Sequence, residues 1–129
     1  MSITRLVAAA PMLALSLLAA GAAQAHPRLV GTFPAANKGV AAANRVSLTF
    51  NERLLGLVSG GDVLMTGHPG VPHHPPMKVA GFKPSVLADG KTLQLVSNRP
   101  LAKGSYQVRW HAVAADTHRV AGAFAFQVR

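Results

Sequence analysis

Residues near the two ends of the chain could together bind a metal ion. His26 follows Ala23-Gln24-Ala25, a small-x-small pattern that signal peptidase cleaves, so His26 would begin the processed chain. A free N-terminal histidine offers its amine and its imidazole Nδ1, which can close a six-membered chelate on one metal ion. Pro27 has no backbone N–H to lose, so the remaining ligands must come from elsewhere in the fold.

The motif Asp116-Thr117-His118 offers such ligands, because it carries a carboxylate and an imidazole two residues apart. Together with His26 it supplies three nitrogens and one oxygen. Donors of this kind in a tetragonal arrangement suit Cu(II), which also leads the affinity series of first-row divalent metals. We therefore predict a Cu(II) site at His26, Asp116 and His118. Alone, an Asp-x-His sequence is more typical of a solvated turn, and the predicted N-terminal histidine favours the metal site.

A second group of donors lies in the middle of the chain, around a proline-rich loop over residues 67–76. Its five members fall within thirteen residues: Met65, His68, His73, His74 and Met77. Thioether and imidazole donors suit Cu(I), and we predict a second site at Met65, His68, His73 and Met77. The alternative is that Met65 packs in the core and the loop histidines bind nothing specific.

The first 25 residues have the organisation of a signal peptide. A positive start ending at Arg5 precedes an apolar run, which Pro11 interrupts and which is short against the roughly 20 residues that span a bilayer. We therefore expect residues 1–25 to be removed on export and residues 26–129 to form one domain in the periplasm. The chain has no cysteine, which excludes disulfides, thiolate metal sites and a blue-copper centre.

The chain is strongly basic, with 13 Lys and Arg against 4 acidic residues and a formal net charge of +9. Without Arg5, residues 26–129 keep 12 basic against 4 acidic residues, a formal charge of +8. These charges are scattered and few aromatic residues lie among them, so we predict no nucleic-acid partner. We expect a soluble monomer whose basic residues form a solvated surface.

Short alternating runs after His26 indicate strands that position these donors. Val46, Leu48 and Phe50 alternate with polar residues over 45–52, and the same period recurs over 92–97, 105–112 and 123–128. Segments 63–66 and 78–82 are further candidate strands. Six to eight strands in about 100 residues predict an all-β fold, an immunoglobulin-like or cupredoxin-like Greek-key β-sandwich or barrel.

Five blocks of the sequence resemble the CopC copper-resistance family of periplasmic copper carriers. They cover residues 26–30, 32–35, 48–52, 63–66 and 110–126, the last reading WHAVAADTHRVAGAFAF. The resemblance implies a β-sandwich that binds Cu(II) through the amine and imidazole of His26, Asp116 and His118, with Glu52 as an auxiliary residue. It also implies a methionine-rich Cu(I) loop, although His68 and Val71 stand here where methionines are common. A CopD-type inner-membrane protein is the implied partner.

The leading hypothesis is a periplasmic copper carrier or buffer in copper resistance, homeostasis or import, with no catalytic step. One alternative is a copper monooxygenase or oxidase with a histidine brace, which an N-terminal histidine and a second histidine can also form. Asp116 would crowd the open coordination position that such an enzyme needs. The other alternative is an immunoglobulin-like export module whose histidines are incidental and which binds no copper tightly.

Overall fold

A computed structural model describes residues 26–129, and the predicted signal peptide over residues 1–25 lies outside the described residues. Nine strands and one short 3-10 turn, Gly56–Val58, make up the regular structure of this part of the chain. The strands are β1 Leu29–Phe33, β2 Gly39–Val40, β3 Arg45–Phe50, β4 Gly60–Gly67, β5 Met77–Lys78, β6 Lys83–Val86, β7 Thr92–Val96, β8 Gly104–Val113 and β9 Arg119–Val128. Over residues 26–129, no helix is long and apolar enough to cross a bilayer.

The strands form two separate sheets, which confirms the predicted all-β sandwich. One sheet has the order β1-β3-β7-β6 and the other the order β2-β9-β8-β4-β5. Neighbouring strands are antiparallel except for β2 and β9, which run parallel. The two longest strands, β8 and β9, pair over their whole length and lead directly into the Asp116-Thr117-His118 connection.

The core lies between the two sheets and contains the apolar residues that the alternation predicted. Val46, Leu48 and Phe50 of β3 are fully buried, and the outward residues between them are not. Across the sandwich, Trp110 of β8 meets Phe50 edge to face with ring centroids 5.1 Å apart. Tyr106 is also buried, and its hydroxyl donates to the carbonyl of Ala102. This packing fixes the strands that end at the candidate metal residues.

The structure differs from the strand predictions at two places. The segment 78–82 was predicted as one strand, but only Met77–Lys78 pairs with β4, and the next strand, β6, belongs to the other sheet. Gly81 has a φ of +94° and makes the turn at which the chain changes sheets. The edge strands β1, β2 and β6 were not predicted. Their residues are exposed or half-buried and lack the alternation that marks a strand with one buried face.

Candidate metal centre

His26, Asp116 and His118 converge at one end of the sandwich. His26 Nδ1 lies 2.9 Å from Asp116 Oδ2, and His118 Nδ1 lies 3.5 Å from the same oxygen. The two imidazole rings stack with centroids 5.4 Å apart. The side chains of His26, Asp116 and His118 are 44%, 20% and 74% exposed, so an ion can reach them from solvent. Residues 90 positions apart in sequence thus share one small surface site.

The connection between β8 and β9 holds the carboxylate and the second imidazole in place. The Thr117 N–H donates to the Ala114 carbonyl at 2.9 Å, and the His118 N–H donates to Asp116 Oδ1 at 3.2 Å. Thr117 has a φ of +64°, a left-handed conformation that is a genuine outlier for a β-branched residue. The turn therefore holds its central residue in a strained conformation while its two neighbours face His26.

The N-terminal segment brings His26 to this turn. Pro27 is buried, and Arg28 is held against the end of β3 by two hydrogen bonds to Asn51. The Arg28 N–H donates to Asn51 Oδ1 at 2.7 Å, and the Asn51 N–H donates to the Arg28 carbonyl at 3.1 Å. The position of His26 thus depends on β3 as well as on β1, the strand that follows it.

The lack of a side chain at Gly122 of β9 leaves room for the indole of Trp110 of β8. Gly122 is the partner of Trp110 in the antiparallel register, so both residues face the core. A Cβ atom on Gly122 would lie 2.5 Å from Cζ2 of the indole, which is too close for any side chain unless the ring moves. Gly122 is therefore part of the support for the hairpin that carries Asp116 and His118.

The donor atoms of the cluster fit a single first-row metal ion. One ligand atom from each of His26, Asp116 and His118 lies within 4.8 Å of the others. Ligands bonded to one ion at about 2.0–2.2 Å lie at most about 4.4 Å apart, so movements of a few tenths of an ångström would suffice. The nitrogen of His26 that faces Asp116 is Nδ1, the atom that could share a chelate with a terminal amine. Within residues 26–129, no other three His, Asp or Glu residues converge in this way.

The two methionines of the loop region lie opposite each other rather than inside the loop. Met65 of β4 pairs directly with Met77 of β5, so their side chains share one face of the sheet. Met65 packs against the core, whereas Met77 is 63% exposed at the edge. The sequence left two roles open for Met65, a Cu(I) ligand or a core residue. In the structure its side chain packs against the core.

The loop histidines are arranged differently from the predicted set, because His68 contacts His74. Their ring centroids lie 5.4 Å apart, while His73 is exposed. In each ring Nδ1 faces the carbonyl of the following proline, at 3.1 Å for His68 and 2.8 Å for His74. A carbonyl can only accept, so Nδ1 is the donor in each of these contacts and Nε2 is the ring nitrogen that faces away from them. Nε2 of His74 is buried and has no hydrogen-bond partner among the described residues.

Two other polar residues lie outside the cluster. Glu52, which the resemblance suggested as an auxiliary residue, is half-buried and does not join the three converging groups. His111 faces outward as predicted but is half-buried. Burial lowers its pKa, and the positive charge of Arg119 lowers it further against a smaller opposite effect of Asp62. A neutral imidazole is therefore favoured there.

Both the sequence and the fold of this chain are similar to those of known proteins. The CopC domain model matches residues 29–129. Copper resistance protein C from Xanthomonas campestris pv. juglandis is 40% identical over 97% of each chain. The protein of the same name from Escherichia coli is also 40% identical, over 83% of this chain and 84% of its own.

Solved structures of similar proteins agree with this result. PcoC, described as a methionine-rich copper resistance protein from Escherichia coli, superposes with a TM-score of 0.74 at 39% identity, covering 81% of this chain and all of PcoC. CopC from Methylosinus trichosporium OB3b gives 0.63 at 28% identity, covering 80% of this chain and 93% of its own. From the match of the family model over the whole sandwich and from these relatives, we conclude that the chain belongs to the CopC domain family.

Proposed function

We propose that this chain is a copper-binding protein of copper resistance, and that it carries or buffers Cu(II) at the cluster of His26, Asp116 and His118. The relatives named as copper resistance proteins support the general role. The single observation that carries the specific site is the approach of His26 Nδ1 and His118 Nδ1 to one oxygen of Asp116. A preformed, partly exposed set of donors suits a protein that must both take up a metal ion and release it.

The proposed Cu(II) ligands are the amine and Nδ1 of His26, a carboxylate oxygen of Asp116 and an imidazole nitrogen of His118. The amine becomes available only if the chain is cleaved after Ala25, so signal-peptide removal is part of the proposal. This set of three nitrogens and one oxygen favours copper over zinc or nickel. Because protons compete for the amine, whose reference pKa is about 7.7–8.0, affinity should fall in acid.

We place this activity in the periplasm, with residues 1–25 as the leader and residues 26–129 as a monomeric copper-binding domain. A CopD-type inner-membrane protein is the proposed recipient or source of the metal. Transfer of this kind needs no catalytic step, and the names of the relatives describe copper resistance rather than an enzymatic reaction. A lack of copper-dependent ascorbate consumption with polysaccharide present would distinguish the carrier from a monooxygenase with a histidine brace.

We further propose that the loop binds Cu(I), with His68 as a donor. The sequence assigned Met65, His73 and Met77 as its companions, and the register of β4 and β5 supports pairing of the two thioethers. The contact between His68 and His74 supports a nitrogen donor from His74 as well. Residues 26–129 contain only the two methionines Met65 and Met77, so a Cu(I) site with more than two ligands needs donors other than thioethers.

A Cu(II) titration followed by electron paramagnetic resonance tests the proposed end site. Protein beginning at His26 should show one tetragonal, nitrogen-rich signal that saturates at one equivalent. The matched control is the same protein with its N-terminal amine acetylated, which retains both imidazoles and the carboxylate but removes the amine as a ligand. We expect the control to lose this signal. Identical signals and affinities in the two proteins would show that the amine is not a ligand.

A further inference from the structure

Asn51 occupies an unusual place between β3 and the N-terminal segment. It follows Phe50, the last residue of β3, and Leu29↔Phe50 is the first pair of the β1–β3 ladder. Asn51 is exposed and adds nothing to the apolar core. Its side chain nevertheless accepts a short hydrogen bond, 2.7 Å, from the N–H of Arg28, and its own N–H donates to the Arg28 carbonyl at 3.1 Å.

The hydrogen bonds between Arg28 and Asn51 involve the first peptide N–H that follows His26. Pro27 has no N–H, so the N–H of Arg28 is the first peptide donor after His26. The proline ring also fixes φ of residue 27, and Pro27 is buried. With Arg28 held on both sides, few backbone torsions remain that could carry His26 away from Asp116. The first residues of a domain are otherwise poorly ordered unless they are tied down.

We propose that Asn51 is a positioning residue for copper, which acts by holding Arg28 so that the chelate of His26 is already directed at Asp116 and His118. The inference rests on the proposed function, because it concerns the same Cu(II) site. Among the described residues, the hydrogen bonds of Asn51 go to Arg28 and none goes to His26, Asp116 or His118. It lowers the conformational entropy that the terminal histidine must lose when copper binds, which is the general advantage of a preorganised donor set.

The test compares Asn51→Leu with the parent, both beginning at His26. Leucine has a similar size but accepts no hydrogen bond, so Arg28 loses its side-chain partner. We expect Cu(II) affinity to fall about tenfold, the lower end of what loss of an orienting partner costs a metal site. The pH at which half the copper is bound should rise, because protons compete better with a weaker chelate. Asn51→Asp, which keeps the acceptor oxygen, should bind copper at least as well as the parent.

A matched control separates positioning from simple support of β1. Thr32→Val removes a hydrogen bond made by a side chain of β1, from Thr32 Oγ1 to the Pro34 carbonyl at 3.0 Å, and leaves Arg28 untouched. We expect it to change the melting temperature without changing copper affinity or its pH midpoint. If Asn51→Leu changes only the melting temperature, or if Asn51→Asp fails to restore affinity, the positioning role is overturned.

A second measurement needs no variant. In the metal-free parent, the amide of Arg28 should exchange with deuterium slowly despite lying two residues from the terminus, because it is hydrogen-bonded to Asn51. Rapid exchange of this amide would overturn the proposal. If the parent itself shows no amine-dependent Cu(II) signal, the proposed function fails. If the parent shows that signal and Asn51→Leu binds copper with unchanged affinity and pH midpoint, only the role of Asn51 fails.

Discussion

The end cluster and the loop are both rich in metal donors, but only the donors of the end cluster converge on one point. Asp116 and His118 lie in a tight turn between the two longest strands, and His26 is tied to β3 through Arg28. The loop donors are spread over a proline-rich connection, where His68 contacts His74 and the two methionines pair separately across β4 and β5. Histidine thus contributes to one assembled donor set at the end of the sandwich and to one divided set in the loop.

The difference shows that core packing away from a metal site determines how firmly its ligands are held in position. Trp110 is buried against Phe50 and lies over Gly122, so the hairpin that ends in Asp116 and His118 is part of the core. The loop is fastened mainly by backbone hydrogen bonds, such as the pair between His68 and Val71 at 2.9 Å. We therefore expect the end site to bind its ion with little rearrangement and the loop to rearrange on binding.

The largest expected effect comes from removing a ligand of the end cluster. His118→Ala and Asp116→Asn should each lower Cu(II) affinity by at least about 100-fold, since even the loss of an orienting partner costs a metal site 10–100-fold. Asparagine keeps the oxygen that accepts from the His118 N–H, so the turn should survive. Cu(I) binding by the loop should be unchanged in both variants. Unchanged Cu(II) affinity in either variant would remove the basis of the comparison.

A second prediction concerns the support of the hairpin. In Gly122→Ala the added methyl group would lie 2.5 Å from the indole of Trp110, and the ring must shift within a packed core. Overpacking of this kind typically costs about 1–3 kcal/mol in the free energy of unfolding, measurable by urea denaturation. Gly31→Ala is the matched control, because no atom lies within 4 Å of its Cβ position. Equal stability of the two variants would show that the indole does not depend on Gly122.

Cu(II) affinity should also fall in Gly122→Ala, because the shifted indole disturbs the hairpin, while Cu(I) binding by the loop should not. Isothermal titration of both metals with this variant and with Gly31→Ala measures the two effects. A variant that loses stability but keeps full Cu(II) affinity would show that the turn around Thr117 sets the site without help from the core.

Much of this architecture could be predicted from the sequence, because apolar and polar residues alternate in strands that have one buried face. The alternation around Val46, Leu48 and Phe50 predicted β3 and its inward face, and the Asp-x-His motif predicted two of the three converging residues. Asn51 could not be assigned a role in this way, because a polar residue at a strand end looks like any solvated position. The left-handed conformation of Thr117 was likewise invisible, since sequence preference for that conformation favours glycine and asparagine.

The pairing of His68 with His74 rather than His73 was also beyond the sequence, because neighbouring residues in an irregular loop have no fixed period. A third prediction tests this pair. His74→Ala should lower Cu(I) affinity of the loop about tenfold, since one of two nitrogen donors is lost, and His73→Ala should change it little. Competition with a chromophoric Cu(I) chelator measures both. The reverse result would favour the set expected from the sequence, namely Met65, His68, His73 and Met77.

The smallest expected effect concerns His111. A variant of this residue distinguishes the release of copper in acid from the unfolding of the protein in acid. Burial lowers its pKa in the folded protein, so the unfolded chain, with a reference value of about 6.5, binds the proton more readily. The stability contributed by neutral His111 is therefore present above the unfolded value and is lost as the pH falls below it. Urea unfolding of metal-free protein at pH 7.5 and 5.5 should show a smaller decrease for His111→Gln than for the parent.

The pH at which copper is released should not depend on His111. Protons compete directly for the terminal amine of the end site, so the parent and His111→Gln should lose Cu(II) with the same pH midpoint, measured by electron paramagnetic resonance. The fold must then remain intact over the range in which copper leaves, which far-ultraviolet circular dichroism of the same samples can verify. If His111→Gln moves the midpoint of copper loss, acid acts on the end cluster through the stability of the sandwich, and the cluster is less independent of the fold than its ligand chemistry implies.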